Sequence, residues 1–359
     1  MNIALAHDHL FQIGGAERVL LALQQTFPTA DIVTLIRNRV ATDFFNPTQI
    51  RTSYLQHMPG GVSFFKWYLP AMPGAWERLD FLPYDLVISS ASAFAKGVRV
   101  REGAKHICYC HSPTRYLWSD TVEYVQSLHL PASARSVVLQ QLNGLREWDY
   151  AAAQRVDFFI ANSRHIAERI QKYYHRSSTV IYPPVDVASF HISESRDDYY
   201  LVVSRLRPYK KVDMVVEAFN NLKLPLVVIG GGEELFRLKK KAKKNITFLG
   251  EVPDSVRNRY LSRCTALIYP QVEDFGISAV EAMASGRPVI AYRAGGALET
   301  IKEGVTGVFF DEQTWEALAY AVLTFDQRQY DADAIRAHAE QFDATRFRER
   351  ILSFIAEHV

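Results

Sequence analysis

The sequence has few cysteines, little net charge and no long apolar run. Its 359 residues include three cysteines, an odd count that argues against a disulfide framework and is typical of a reducing cytoplasm. Lys and Arg (41) nearly balance Asp and Glu (39), so the net charge of +2 gives no global field that would favour nucleic acid. No run approaches the roughly 18 residues of a membrane span, and the chain starts on a strand pattern without a signal segment. We therefore expect a cytoplasmic protein that is soluble or peripheral.

The length predicts more than one domain. A chain of 359 residues, 48% hydrophobic and 22% charged, exceeds what one core usually serves. Prolines 183 and 184 and the polar stretch 191–198 interrupt the periodicity and indicate a linker. We predict an N-terminal domain over 1–190, a second domain over 191–340 and a final amphipathic helix over 341–359.

Short runs rich in Val and Ile alternate with segments of helical period, which is typical of an α/β protein with parallel sheets. The predicted strands of the first half are residues 3–6, 31–35, 85–89, 105–110, 156–161 and 179–182. Those of the second half are residues 200–204, 226–230, 246–250, 266–269, 289–292 and 308–310. The simplest architecture is two doubly wound, Rossmann-like domains that face a cleft, with ligand at the carboxyl ends of the strands.

Two glutamates eight residues apart, Glu273 and Glu281, bracket a predicted strand-to-helix turn. Gly276 permits a tight turn, so the amides of Phe275, Gly276 and Ile277 can point at an anion at the helix N-terminus. A carboxylate repels phosphate but accepts hydrogen bonds from sugar hydroxyls. The segment therefore favours a sugar nucleotide, which carries both groups.

Two other turns carry candidates for binding phosphate. Arg205 and Lys210 follow the first strand of the second half, and together with the acidic segment they indicate a diphosphate site; the alternative is a solvated basic turn. Gly14 and Gly15 lie between the first strand and the first helix, where amides could meet a phosphate. A glycine pair in such a turn is often only structural.

Histidine at a strand end gives a further candidate. His111 follows the strand 105–110 and can bond a sugar hydroxyl or carry a proton, or it can be a capped structural histidine. Cys108 and Cys110 lie on one face of a buried strand, and without a second ligand pair they do not indicate a metal site. The sequence His7-Asp8-His9 is interpreted as lining the cleft floor or capping the loop.

These segments resemble the retaining glycosyltransferases of family 4, which have the GT-B fold, and in particular bacterial mannosyltransferases. The resemblance covers nearly the whole chain. It is carried by the following segments: Gly14-Gly15-Ala16-Glu17, Ala161-Asn162-Ser163, Tyr182-Pro183-Pro184-Val185-Asp186, residues 205–210, residues 273–281, Ala284-Ser285-Gly286-Arg287-Pro288-Val289 and Gly295-Gly296. The resemblance implies that the C-terminal helix returns to the N-terminal domain.

The family also implies roles for the candidate residues. Arg205 and Lys210 would hold the donor diphosphate and stabilise it as a leaving group, and Glu281 would accept bonds from the ribose hydroxyls. Glu273 would lie beside the transferred sugar, near the amides of Phe275, Gly276 and Ile277. His111 would touch that sugar, and Gly15 would let the backbone approach the phosphate. Retention by a front-face route requires no side-chain nucleophile.

We expect no cofactor and no metal, because the nucleotide sugar is a substrate and the acidic triplet at 331–333 falls in a helical tail. The expected donor is GDP-mannose, through the similarity of residues 111–116 to bacterial mannosyltransferases, with UDP sugars as the alternative. The expected acceptor is a saccharide, in particular a lipid-linked one used in cell-surface polysaccharide synthesis.

The resemblance to bacterial enzymes that extend lipid-linked saccharides implies a peripheral contact with the inner face of the cytoplasmic membrane. Two segments are candidates for this contact: the aromatic residues and cations at 63–70, with Met72, Trp76 and Arg78 close behind, and the basic run 238–244. The alternatives are a core helix for the first segment and a solvated helix face for the second. Nucleic acid is not expected as a partner.

Rival functions belong to other classes. A dehydrogenase is disfavoured because the first turn, residues 11–16, lacks the complete G-x-G-x-x-G fingerprint. A sugar-nucleotide epimerase or a phosphorylase on the same fold remains an alternative, as does a non-catalytic nucleotide-binding protein.

Overall fold

The chain folds into two compact units. The structure is a computed structural model that describes residues 1–12, 14–38, 44–46, 49–128 and 130–359. Ile13 of the first turn, and the side chain of Lys66 in the aromatic segment, lie outside the described residues. One unit comprises Met1–Tyr182 with Arg348–Val359, and the other comprises Pro183–Phe347.

The chain enters the second unit at Pro183, whereas the sequence predicted a boundary after residue 190. Backbone and side-chain bonds attach the intervening residues to the second unit. The Val185 amide donates to the Phe342 carbonyl at 3.0 Å, and the Arg336 guanidinium donates to the Phe190 carbonyl at 2.8 Å.

In the described part of the first unit, seven parallel strands form one sheet in the order β3-β2-β1-β4-β5-β6-β7. The strands are β1 Ile3–His7, β2 Asp31–Thr34, β3 Ile50–Thr52, β4 Leu86–Ala91, β5 Lys105–Cys110, β6 Phe158–Ala161 and β7 Thr179–Val180. The strand order reverses between β1 and β4. The loops after these two strands therefore flank the switch point at which doubly wound folds bind ligands.

Helices cover the faces of this sheet. They are α1 Gly15–Thr26, α2 Met72–Arg78, α3 Arg115–Trp118, α4 Thr121–Ser127, α5 Ala132–Gln154 and α6 Arg164–Tyr174. In α1 the apolar stripe of Val19, Leu20 and Leu23 is fully buried, as its spacing predicts. Burial of this stripe fixes α1 directly after the loop that leaves β1.

The second unit repeats the scheme. Its described residues form six parallel strands in the order β10-β9-β8-β11-β12-β13. The strands are β8 Tyr200–Val203, β9 Leu226–Ile229, β10 Ile246–Gly250, β11 Leu267–Tyr269, β12 Val289–Tyr292 and β13 Gly307–Phe310. The helices are α7 Val212–Leu222, α8 Leu235–Lys241, α9 Asp254–Arg263, α10 Ile277–Ala284, α11 Ala297–Thr300, α12 Trp315–Thr324 and α13 Ala332–Ala339. Here the switch point lies between β8 and β11.

The last helix, α14 (Ala344–His358), ends in the first unit. The rings of Phe354 and His358 pack edge-on against Phe158, with centroids 6.2 and 4.7 Å apart. The predicted return of the C-terminal helix is confirmed. Within this helix Leu352 is 46% exposed.

The aromatic segment is divided between core and surface. Residues Gly61–Ala71 form a 3-10 helix that leads into α2. Trp76 of α2 is completely buried, whereas Phe64 and Trp67 are 55% and 79% exposed. A core helix therefore accounts for Trp76 but not for the exposed pair. Across the ranges that the structure describes, no helix has both the length and the apolar character needed to cross a bilayer.

Candidate functional site

The turn between β11 and α10 presents a helix N-terminus. Gly276 caps α10 with φ of +103°, a left-handed value that favours glycine, and a Cβ there would lie 2.7 Å from the Tyr269 hydroxyl. Phe275 is buried and packs edge-on against Phe342, with ring centroids 5.4 Å apart. The amide of Ile277 opens the helix, where no preceding helical carbonyl can accept from it. This fixed turn has the local geometry of an anion site.

A second pair of glycines holds that turn in place. The Gly296 amide donates to the Glu273 carbonyl at 2.8 Å. A Cβ on Gly295 would lie 2.5 Å from the same carbonyl oxygen, and one on Gly296 would lie 2.4 Å from Cα of Phe275. The two backbones approach too closely for any side chain larger than hydrogen. The position of Glu273 and Phe275 thus depends on the loop after β12.

The loop after β8 carries the two predicted cations. The Leu206 amide donates to the Gly231 carbonyl at 2.8 Å, and a Cβ on Gly232 would lie 2.4 Å from the Leu206 carbonyl oxygen. Arg205 is exposed, whereas Lys210 ends a short 3-10 helix and is half-buried. The glycines after β9 therefore set the path of the backbone on which both cations sit.

Lys210 and Glu273 meet at the switch point. The Lys210 ammonium donates to Glu273 Oε1, and the two side chains are 15% and 21% exposed. An ammonium has three N–H donors, so a bond to this carboxylate occupies one of them. The pair joins the loop after β8 to the turn before α10.

Glu281 has a cation partner that was not predicted from the sequence. It lies on α10 with a side chain only 4% exposed, and Arg257 of α9 approaches it at 3.4 Å. Arg257 also contacts Asp254 at 3.0 Å. A buried carboxylate needs such a partner to stay ionised. No spacing in the sequence relates α9 to α10, so only the fold reveals this pair.

In the first unit, His111 belongs to a chain of polar side chains at the ends of three strands. His111 Nε2 lies 2.8 Å from Ser90 Oγ, which lies 3.1 Å from His7 Nδ1. His7 Nε2 in turn lies 3.9 Å from Glu17 Oε1, and Glu17 Oε2 accepts from the Gly14 amide at 2.8 Å. His111 was predicted from the sequence, whereas its connection to Ser90 and Glu17 was not.

The predicted glycine pair opens α1. Gly14 is the N-cap, and its amide is committed to Glu17, while Gly15 is the first helical residue, whose amide has no preceding helical acceptor. Burial alone would raise the pKa of Glu17, but the His7 contact and the amides of Glu17 and Gly14 outweigh it and lower that pKa to about 2. Glu17 is therefore a carboxylate throughout the physiological range.

Asp8 is a structural cap, which is one of the two roles interpreted for it. Its carboxylate accepts from the amides of Ser92, Ala93 and Ala95 at 2.7–2.8 Å. These residues form the loop after β4. The cap therefore ties the loops at both sides of the switch point together.

A buried ion pair supports the segment after His111. Lys96 and Asp149 are 2.5 Å apart and almost fully buried. Asp149 also accepts from Thr114 Oγ1, Trp118 Nε1 and the Tyr174 hydroxyl at 2.9, 2.8 and 2.7 Å. This network, unforeseen from sequence, holds residues 114–118 to the body of the first unit.

The acidic triplet and the paired cysteines occupy structural positions. Asp331 caps α13 by accepting from the amides of Asp333 and Ala334 at 2.8 and 3.1 Å. Cys108 and Cys110 are free thiols in the core of the first unit. Among the described residues, no group of three His, Cys, Asp or Glu side chains could hold a metal ion.

Both units thus have a Rossmann-like parallel sheet with glycine-shaped or capped loops at its switch point, which defines a doubly wound α/β protein of two such units. The chain belongs to the glycosyltransferases of family 4. The model of the family described as Glycosyltransferase Family 4 matches residues 13–189, and that described as Glycosyl transferases group 1 matches residues 188–342. The family resemblance is confirmed.

Known proteins are similar to this chain over much of its length. The human alpha-1,3/1,6-mannosyltransferase ALG2 is 30% identical over 64% of this chain and 61% of its own. A GDP-mannose-dependent alpha-(1-6)-phosphatidylinositol monomannoside mannosyltransferase of Mycolicibacterium smegmatis is 30% identical over 41% of this chain. The chain spans about three fifths of the human protein and 44% of the mycobacterial one.

A solved structure shares the fold. Anabaena HepE in complex with UDP and glucose has a TM-score of 0.72 and 19% identity, with 99% of both chains covered. The predicted GT-B fold class is confirmed.

Proposed function

We propose that this protein is a retaining hexosyltransferase that moves mannose from GDP-mannose to a lipid-linked saccharide in cell-surface polysaccharide synthesis. The observation that carries the proposal is the pairing of Lys210 with Glu273 beside the N-terminus of α10. A cation, a carboxylate and helix amides at one switch point suit a ligand that has both a diphosphate and hydroxyl groups. The mannosyl donor is supported by the activities for which the human and mycobacterial relatives are named.

The donor-binding roles are those that the family resemblance implies, and the charges of the second unit support them. Arg205 and Lys210 stabilise the charge that develops on the departing diphosphate. Glu281, held by Arg257, accepts bonds from the ribose hydroxyls. Glu273 and the amides of Phe275, Gly276 and Ile277 bind the transferred sugar and the phosphate.

The family resemblance implies two further roles, for residues of the first unit. His111 contacts a hydroxyl of the transferred hexose, and the backbone at Gly15 approaches the phosphate. In a front-face reaction the acceptor hydroxyl forms the new bond to the anomeric carbon on the side from which the diphosphate leaves. The departing phosphate oxygen takes the acceptor proton, so that no side chain acts as nucleophile and the anomeric configuration is retained.

Calorimetric titration with GDP, UDP and ADP tests the choice of base, and transfer assays with GDP-mannose and UDP-glucose test the donor. Tightest binding of GDP and transfer of mannose with retained configuration are expected. UDP is the specific alternative because HepE was solved with UDP and glucose; a preference for UDP would overturn the mannose assignment. Interconversion of the donor without any acceptor would instead identify an epimerase.

We further propose that the 3-10 helix carrying Phe64 and Trp67 contacts the inner face of the cytoplasmic membrane. Exposed aromatic side chains of this kind partition into the bilayer interface. A double change of Phe64 and Trp67 to Ser should abolish flotation with anionic liposomes. The change Tyr320→Ser, which removes an aromatic residue that is 71% exposed on α12, should leave flotation unchanged. Absence of flotation by the unaltered protein would contradict the proposal.

A further inference from the structure

The polar chain that ends at His111 starts at a carboxylate. Glu17, His7, Ser90 and His111 come from α1, β1, β4 and the residue after β5, and the four residues are each at most 9% exposed. Because buried polar atoms must pair donor with acceptor, the proton positions along this chain depend on one another. The ionisation of Glu17 at one end therefore determines which ring nitrogen of His111 carries the proton at the other.

Glu17 determines which ring nitrogen of His7 carries the proton. An ionised carboxylate can only accept, and its Oε1 faces His7 Nε2 at 3.9 Å. This distance is beyond a hydrogen bond, but the negative charge still attracts an N–H dipole and repels a lone pair. An N–H at Nε2 is therefore favoured over a lone pair. In neutral His7 the lone pair then lies on Nδ1, the atom that contacts Ser90.

Ser90 transmits this choice to His111. With His7 Nδ1 as the acceptor, the Ser90 hydroxyl must donate to it across 3.1 Å. The same oxygen then accepts from His111 Nε2 across 2.8 Å. His111 must accordingly carry its proton on Nε2, and its Nδ1 becomes a hydrogen-bond acceptor.

We propose that Glu17, His7 and Ser90 are positioning residues that hold His111 in its Nε2–H tautomer, so that Nδ1 accepts a hydrogen bond from a hydroxyl of the transferred sugar. The sugar contact rests on the function proposed above, whereas the tautomer does not. The chain of donors also fixes the plane of the His111 ring. An acceptor nitrogen selects a substrate group that donates, as a sugar hydroxyl does.

One substitution should reverse the direction of hydrogen-bond donation from His7 through Ser90 to His111. In Glu17→Gln, the amide oxygen keeps the bond to the Gly14 amide, which the carboxylate accepts at 2.8 Å. The side-chain NH₂ then faces His7 Nε2, and its N–H dipole favours a lone pair on that nitrogen. His7 would carry its proton on Nδ1 and donate to Ser90, and Ser90 would donate to His111 Nε2. The His111 proton would move to Nδ1, with no change in the number of protons.

Long-range ¹H–¹⁵N NMR of protein labelled with ¹⁵N-histidine distinguishes the two tautomers, because protonated and unprotonated ring nitrogens have well-separated shifts. The spectra are recorded at a pH of about 8.5, above the usual imidazole pKa of about 6.5. The His111 signals are identified by their loss in His111→Gln. We expect Nε2–H in the unaltered protein and Nδ1–H in Glu17→Gln. The control Glu168→Gln changes an exposed glutamate on α6 and should leave the spectrum of His111 unaltered.

Ser90→Ala provides a second test in case Glu17→Gln does not fold. Removing the hydroxyl should shift the tautomer population of His111, and adding Glu17→Gln to Ser90→Ala should then have no further effect on that population. A purely structural role for Glu17 would lower the melting temperature and leave the tautomer unchanged. An Nδ1–H tautomer in the unaltered protein, or an unchanged tautomer in folded Glu17→Gln or Ser90→Ala, would overturn the proposal.

Activity gives an independent readout. We expect about a tenfold loss of kcat/KM for the donor in Glu17→Gln, the equivalent of one hydrogen bond. If the His111 tautomer reverses but kcat/KM stays unchanged, the contact between His111 and the sugar is refuted, whereas the control of the His111 tautomer by Glu17 is confirmed. If no nucleotide sugar is turned over, the proposed function fails, and the NMR result still decides the tautomer.

Discussion

Gly296→Ala tests how strictly the turn before α10 must be placed. Gly296 has φ of −62° and ψ of −19°, values that alanine adopts readily. The substitution therefore adds no backbone strain and introduces only a methyl group. That methyl group would meet Cα, O and C of Phe275 at 2.4, 2.5 and 2.7 Å.

The size of the effect follows from these distances. All three contacts are to backbone atoms, so no side chain can rotate away to relieve them. Restoring an ordinary contact of 3.4 Å to Phe275 Cα requires the turn to move by about 1 Å. Overpacking of this kind costs about 1–3 kcal/mol of stability, and a displacement of about 1 Å at a reacting site can cost about a hundredfold in rate.

The assay is kcat/KM for the nucleotide-sugar donor, together with the melting temperature of the same preparation. We expect a loss of kcat/KM of about a hundredfold in a protein that is still folded. Gly74→Ala, where the added Cβ meets open space in α2, controls for the substitution itself. Gly304→Ala, at φ of +75° and also in open space, controls for destabilisation of the second unit by backbone strain. A value of kcat/KM within about threefold of the unaltered enzyme, or an equal loss in Gly304→Ala, would refute the reasoning.

Three further predictions concern charged groups. Lys210→Met should lower kcat about tenfold to a hundredfold, because a charge-assisted bond contributes about 1.5–3 kcal/mol. The control is Lys211→Met, which changes an exposed neighbouring lysine and should have little effect on kcat. Equal losses of kcat in the two variants would contradict the role assigned to Lys210. Arg257→Met should weaken nucleotide binding measured by calorimetry, because it leaves the buried Glu281 without this cation. The control is Arg259→Met, on the exposed face of α9, which should leave the affinity unchanged. Unchanged affinity in Arg257→Met would contradict the role of Glu281 in binding the ribose. The pKa of Glu17 is lowered from 4.5 to about 2, so its stabilisation of about 3 kcal/mol is present above pH 4.5 and is lost as the pH falls towards 2. The difference in unfolding free energy between the unaltered protein and Glu17→Gln, measured in urea, should shrink from pH 7 to pH 3; a constant difference would contradict the lowered pKa.

Sequence periodicity was sufficient to predict where the principal strands lie. The strands β5, β10 and β12 have the predicted bounds. β5 and β12 are buried almost throughout, and a strand buried on both faces is recognisable as a run rich in apolar residues. β3 was missed. Its three residues, Ile50–Thr52, are too few for any alternation to be recognised.

The sequence alone identified candidate site residues that lie close together in one segment. It did not identify the residues on other helices and strands that contact them. Glu273, Gly276 and Glu281 lie within one segment, so their relation can be recognised from spacing. Arg257 and Ser90 reach their partners only through parallel pairing and helix packing, which no local pattern encodes. Ser90 is the clearest case, since a serine inside a buried strand is indistinguishable in sequence from a packing residue.

A crystal structure with GDP-mannose bound would test the central claim most directly. We predict the diphosphate against Arg205, Lys210 and the N-terminus of α10, with the ribose hydroxyls bonded to Glu281. A nucleotide bound elsewhere, with these side chains out of reach of it, would contradict the account.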